Sequence, residues 1–235
     1  LISIKPESFT FGYSLNQGIQ AASGDILVIV SAHTYPTSNL WIQNLVAPLS
    51  SEKVCMTYGK QVGSPQSNPA EIYDFHRNFG DKTKTQRKPD YFTNNANSAI
   101  KKKLWEKHPF DESLSGLEDI EWARYFLNLD YELVYVADAE IVHIHNESPK
   151  QIQNRYYREA LALRRMALKR RYHLPLDLTK GLVASFSDLA FKRSAVKSNF
   201  KRKFSFHYNK LMGHARGILK GRKDESGLKA ELQEA

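Results

Sequence analysis

The sequence predicts an α/β fold built around a sheet, with a basic α-helical appendage behind it. Three observations carry that prediction. Between residues 14 and 58 a helix-periodic segment, a short apolar run, a second helix and a second apolar run alternate, the order from which parallel α/β units are made. The run Ile26, Leu27, Val28, Ile29, Val30 is too short for a helix and rich in β-branched residues, which suits a strand buried on both faces. Charge then changes sign at Pro149: residues 1–149 carry a net −5 and residues 150–235 a net +14.

Residues 1–4 suit a strand. Residues 14–23 suit a helix, with Leu15, Ile19 and Ala22 on one face and Gly24 as its stop. The strand at 26–30 runs out into Ser31, Ala32 and His33, and ligand sites in open α/β sheets lie beyond such carboxyl ends. Ser38 suits the cap of a helix over 39–46, and residues 54–58 suit the next strand. From Gly63 to Thr93 periodicity dissolves, and only a short helix at 72–79 is expected; so long an irregular stretch usually serves function. Order returns at 94–100, a helix is expected at 101–107, and another opens at Glu118. Two strands follow, 132–136 and 140–145, the second placing His143 and His145 on one face. Helices are then expected at 151–172, 178–193 and 200–219, broken at Leu174-Pro175, and the polar residues from Gly221 onward read as a disordered tail. The expected organisation is therefore 1–149, 150–220 and 221–235.

Composition narrows the class. No stretch approaches the ~18 consecutive apolar residues of a membrane-spanning helix. A single cysteine, Cys55, excludes an internal disulfide framework and fits a reducing compartment. The chain opens at Leu1 within an apparent strand, so further residues are expected upstream.

Three constellations can carry chemistry. Glu118 and Asp119 are adjacent acids at a helix start, where the dipole favours a carboxylate that accepts a proton or holds a cation; acids in a first turn also serve as plain caps. His143 and His145, with His33 as a third, offer imidazoles to a divalent metal, or sit as ordinary histidines on a half-exposed strand. Asn94, Asn95 and Asn97 offer amides to sugar hydroxyls, or serve turn chemistry.

In this order the pieces resemble the second half of a glycosyltransferase family 2 enzyme of the GT-A fold, a Rossmann-like mixed sheet flanked by helices. The family's Arg-Asn-x-Gly-Ile-like segment resembles Leu15-Asn16-Gln17-Gly18-Ile19. Its Gly-Asp/Glu strand ending in Asp-x-Asp resembles Gly24-Asp25 through Ser31-Ala32-His33, and its Asn-x-Ala/Ser loop resembles residues 95–99. Its Glu-Asp motif matches Glu118-Asp119, and its late histidine matches His143 or His145. The resemblance covers roughly residues 9–148 and implies an inverting transfer of a sugar from a nucleotide-sugar donor to a surface-polysaccharide or lipid-linked glycan acceptor. Asp119 would be the general base and Glu118 its positioning partner. Asn16, Ser31 and His33 would meet the donor, and Asn95, Asn97 and Trp122 the acceptor. A divalent cation, Mg or Mn, is implied at His33, His143 and His145, while the missing Asp-x-Asp removes the charge that usually holds it. The half that binds the nucleotide base would precede residue 1 by roughly a hundred residues.

The basic region suits an anionic membrane surface. Arg155, Arg158, Arg164, Arg165, Lys169, Arg170 and Arg171 interleave with Tyr156, Leu161, Leu163 and Leu168, as in helices that lie on lipid headgroups. The expected place is the cytoplasm, peripheral on the inner face of the cell membrane. Two other classes fit the same residues: a non-catalytic glycan-binding or scaffold protein, and a nucleic-acid-binding protein led by the basic helices. The first is disfavoured by the retained acid pair, the second by the apolar residues among the arginines.

Overall fold

In the computed structural model, which describes residues 1–190 and 200–220, the first helix, α1 (Phe11–Ala21), starts where Thr10 accepts the Tyr13 amide proton at 3.0 Å. The expected tail from Gly221, and the end of the helix expected at 178–193, lie outside the described residues. No strand forms at residues 1–4; a single 3-10 turn, Pro6–Ser8, follows instead.

Six strands form one mixed sheet: β1 (Ile26–Val30), β2 (Thr34–Pro36), β3 (Val54–Val62), β4 (Lys84–Gln86), β5 (Asn97–Lys101) and β6 (Glu132–His143). Their order is β1-β5-β3-β6-β2, with β4 alongside the first half of β6. Strand β5 is antiparallel to both β1 and β3, and β3 is parallel to β6. The carboxyl ends of β1, β3 and β6 therefore share one edge, where ligand sites of such sheets lie.

Alternation along the strands divides the core. Leu27, Ile29, Met56, Tyr58, Leu133 and Tyr135 face a layer made with α1 and α5 (Glu118–Asn128). Ala99, Val134, Val136 and Ile141 face Trp41 and Leu45 of α2 (Trp41–Val46). β1 corrects an expectation: it is an edge strand, and Ile26, Val28 and Val30 are exposed while Leu27 and Ile29 are buried. Apolar content alone does not separate an edge strand from a central one.

The stretch expected to be irregular is ordered. Asn68 caps α3 (Pro69–Asn78) by accepting the Ala70 amide proton at 3.1 Å, and β4 follows. The two strands expected at 132–145 are one twelve-residue strand, β6, which ends at His143. After β5 comes the short α4 (Lys102–Trp105).

Helix α6 (Pro149–Arg165) stops before the expected residue 172, because Ala167 adopts φ 58° and the Leu168 and Lys169 amides turn back to the Leu163 carbonyl at 2.9 and 3.1 Å. Pro175 does not break a helix but lies in the first turn of α7 (Leu174–Ala190), where its missing N–H costs nothing. The last helix, α8 (Phe200–Lys220), packs along α6 and against α7 and α3. Ile152 and Phe206 bury Ala70 of α3, and Ala162 and Met166 bury Leu114, so the C-terminal helices are continuous with the body.

Several of the arginines expected on an anionic surface bond within the chain. Arg155 pairs with Glu147 at 2.7 Å, Arg164 donates to the Ile218 carbonyl at 2.7 Å, and Arg165 donates to the Ser113 carbonyl. Arg171, beyond α6, donates to the Leu219 carbonyl at 2.7 Å.

Candidate active site

The turn after β1 and the end of β6 are brought together by strand pairing. Thr34 of β2 lies opposite His143 of β6, and the Ile144 amide donates to the His33 carbonyl at 3.2 Å. His33, in the turn closed by Thr34 donating to the Ser31 carbonyl at 2.7 Å, is thereby set beside the histidines of the β6 end. Ring centroids are 4.8 Å apart for His33 and His143, 5.2 Å for His33 and His145, and 4.1 Å for His143 and His145. Ligand nitrogens from the three lie within 4.8 Å of one another.

The surroundings favour the neutral form of two of these imidazoles, His143 and His33. Burial holds His143 well below the usual imidazole range, reinforced by His145 and His33. His33 is lowered by the same causes, burial first and His145 second. His143 Nδ1 faces Gln61 Oε1 at 2.7 Å, which makes Nδ1 the protonated nitrogen and leaves the lone pair on Nε2. That Nε2 is buried and has no hydrogen-bond partner among the described residues. His145 Nδ1 likewise donates to Glu71 Oε1, which frees its Nε2. A histidine oriented through its second nitrogen by an amide or carboxylate is the usual arrangement of a metal ligand. The residues therefore fit a divalent cation. Glu71, His145 and Glu147 form a second set of donors within the same 4.8 Å limit. Beside them opens a cleft of about 260 Å³ lined by Asn68, Glu71, His145, Glu147, Lys201 and Arg202.

The acid pair stands at the same sheet edge. Asp119 Oδ2 accepts the Asn95 amide proton at 2.9 Å, and its Oδ1 accepts that of Ile120 at 2.8 Å. Glu118 Oε1 accepts from Asn95 Nδ2 at 3.3 Å. One residue on, the Ala96 carbonyl accepts the Ser31 amide proton at 3.2 Å, so Asn95 and Ala96 link the acids to the turn that carries His33. Burial, and then the charge of Glu118, push the Asp119 carboxyl up to about 8. Burial raises Glu118 as well.

The remaining sequence candidates have their polar atoms engaged within the chain. Asn16 donates to the Phe110 carbonyl and to Glu112, both at 2.9 Å, and accepts from Trp105 Nε1 at 2.8 Å. Asn97 is fully buried, accepting from Trp41 Nε1 at 2.9 Å and donating to the Ala139 carbonyl at 2.7 Å. Trp122 is fully buried too, with Nε1 donating to the His108 carbonyl at 2.7 Å. These three side chains bond within the frame of the chain. Sequence reasoning missed Gln61, Glu71 and Glu147. Glu71 lay in the stretch without periodicity, and Gln61 lay beyond the expected end of β3.

The mixed sheet, its helical layers and a site at the strand ends define the class: a GT-A fold, as built by nucleotide-sugar transferases. Residues 3–108 match the family model described as Glycosyl transferase family 2. The O-antigen chain rhamnosyltransferase WbaN of Salmonella anatum is 24% identical over 167 residues, covering 67% of this chain and 53% of that protein. The O-antigen chain rhamnosyltransferase RfbN of Salmonella typhimurium is 22% identical over the same shares. The chain thus spans about half the length of the curated relatives it matches. Among solved structures, the mannosyltransferase PcManGT from Pyrobaculum calidifontis, in complex with GDP-Man and Mn2+, superposes with a TM-score of 0.54 at 14% identity. That superposition covers 91% of this chain and 68% of the other, a likeness of fold.

Proposed function

We propose that the chain transfers a sugar from a nucleotide-sugar donor to a glycan acceptor, with inversion at the sugar carbon. The observation that carries this reading is the meeting, at one sheet edge, of a buried acid pair held by Asn95 and a trio of imidazoles whose ligand nitrogens lie within 4.8 Å of one another. In this reading Asp119 removes the proton from the acceptor hydroxyl. The hydroxyl oxygen then attacks the anomeric carbon from the face opposite the diphosphate, and the bond from that carbon to the diphosphate oxygen breaks. Asn95 holds both carboxylates in register, and burial, then the charge of Glu118, keep the pKa of Asp119 high enough for it to act as a base near neutral pH. His33, His143 and His145 would hold a divalent cation, which neutralises the departing diphosphate when bound. An all-imidazole donor set suits Mn or Zn better than Mg, which prefers oxygen. The names of the two curated relatives support a hexosyl or deoxyhexosyl donor and a polysaccharide acceptor.

The test is Asp119→Asn in the complete protein, assayed against a panel of nucleotide sugars with far-UV circular dichroism as the folding control. Turnover should fall by at least about a hundredfold with the fold intact. Turnover within a few-fold of the parent protein would remove Asp119 as the base.

A further inference from the structure

Helices α7 and α8 carry apolar side chains that the fold leaves outside. On α8, Phe200, Phe204, Tyr208 and Met212 recur every fourth residue and are 42–61% exposed, and consecutive rings stack at centroid distances of 6.3 and 6.4 Å. On α7, Leu182, Val183 and Phe186 are 50–71% exposed. The α8 row borders the seam between the helices, because Lys203 and His207, each one residue before a member of the row, are the side chains that grip Asp188 of α7.

The charge around this surface has one sign. The described residues of 171–220 include eight Lys and Arg but only two acids, Asp177 and Asp188. Both acids are turned inward. Asp188 is fully buried between Lys203 at 2.9 Å and His207 at 2.8 Å, and Asp177 pairs with Lys169 and with His214 at 3.3 Å. Lys180 of α7 and Lys201, Arg202 and Lys220 of α8 are exposed on the same two helices. No helix among the described residues is long and apolar enough to cross a membrane.

We propose that this α7–α8 face docks on an anionic lipid bilayer, its aromatic and aliphatic row entering the headgroup boundary and its cations meeting lipid phosphates. Interfacial helices have this composition, an apolar strip with basic flanks and no acids. The occupant follows from complementarity. A second copy presenting the same face would set positive charge against positive charge. Nucleic acid would find apolar side chains at the centre of its binding surface. The arginines of α6, bound to carboxylates and carbonyls of the chain itself, are not the contact.

The experiment is flotation of the whole chain with phosphatidylcholine vesicles, with and without phosphatidylglycerol, across a salt series. The parent protein should bind the anionic vesicles, and salt should weaken the binding but leave a resistant remainder from apolar insertion. Phe186→Glu, Phe204→Glu and Tyr208→Glu together should lower the vesicle partition coefficient by at least about tenfold. Tyr35→Ser with Ile42→Ser, exposed residues of another surface, should leave it unchanged. Circular dichroism checks each variant; if the glutamate variant does not fold, Phe186→Ser with Phe204→Ser provides the same comparison without added charge. Equal partition of folded variant and parent overturns the proposal. So does a parent protein that ignores anionic lipid. Sedimentation velocity showing a dimer dispersed by these variants, without vesicle binding, would assign the face to a second copy; tight duplex DNA binding without vesicle binding would assign it to nucleic acid. None of these readouts depends on sugar transfer, so failure here leaves the catalytic reading untouched.

Discussion

Asp119 carries two opposing demands. A base must lose its proton, and burial beside Glu118 makes that loss costly. With the folded-state pKa near 8 against an ordinary 3.8, the transfer rate should rise with pH and reach half its plateau near 8 instead of near 4. The sign for stability is the reverse. Between those two values the folded chain keeps a proton that the unfolded chain has lost, so stability falls as pH rises and levels off above about 8. Asp119→Asn should therefore reduce the loss of stability between pH 6 and 9 while abolishing transfer, which urea midpoints at the two pH values would detect. The histidines make a separate prediction. Calorimetric titration of Mn or Zn into the whole chain should show a site lost with His143→Ala. Gln61→Leu, which removes the acceptor for His143 Nδ1, should weaken that site by about ten- to a hundredfold. Equal affinity in the Gln61 variant would mean that the amide does not orient the ring.

At the scale of elements, the seam between α6 and α8 depends on two glycines. A Cβ at Gly213 would lie 2.2 Å from the Gln153 carbonyl oxygen, and one at Gly217 would lie 2.6 Å from both Ala160 Cβ and the Tyr157 carbonyl oxygen. Backbone cannot give way as a flexible side chain can, so Gly217→Val should cost about 1–3 kcal/mol, read from urea midpoints. Gly18 in α1 is the control: nothing lies within 4 Å of its Cβ position, and Gly18→Ala should stabilise by about 0.5–1 kcal/mol. If both variants were equally stable, close helix approach would not be what these glycines serve.

The whole molecule behaves as one body because the C-terminal helices complete cores begun in the sheet domain. Ile152 and Phe206 cover Ala70; Ala162 and Met166 cover Leu114; the Ser115 hydroxyl donates to the Arg158 carbonyl at 2.9 Å. Lys210 also pairs with Asp74 of α3. A variant ending at Ser148 should melt at lower temperature and bind a hydrophobic dye, since those surfaces would face water. A truncated chain as stable as the whole would show that the helices are an independent unit.

The sequence by itself determined the local features. Period-2 and period-3.6 patterns placed α1, β3, α5 and α8 within a few residues, and the acid pair, the paired histidines and His33 could be named because each lies beside a strand end or helix start. Strand order was not legible, since which strand sits at an edge depends on partners distant in the chain; β1 has the composition of a central strand and the place of an outer one. The direction of charged side chains was not legible either. The arginines of α6 look like a membrane strip in one dimension, but the Glu147 carboxylate and the Ile218 and Ser113 carbonyls, brought to them only by tertiary packing, accept their hydrogen bonds. For the same reason, only the tertiary structure showed Asn97 and Trp122 to be interior supports, because burial is a property of what packs against a residue and not of the residue.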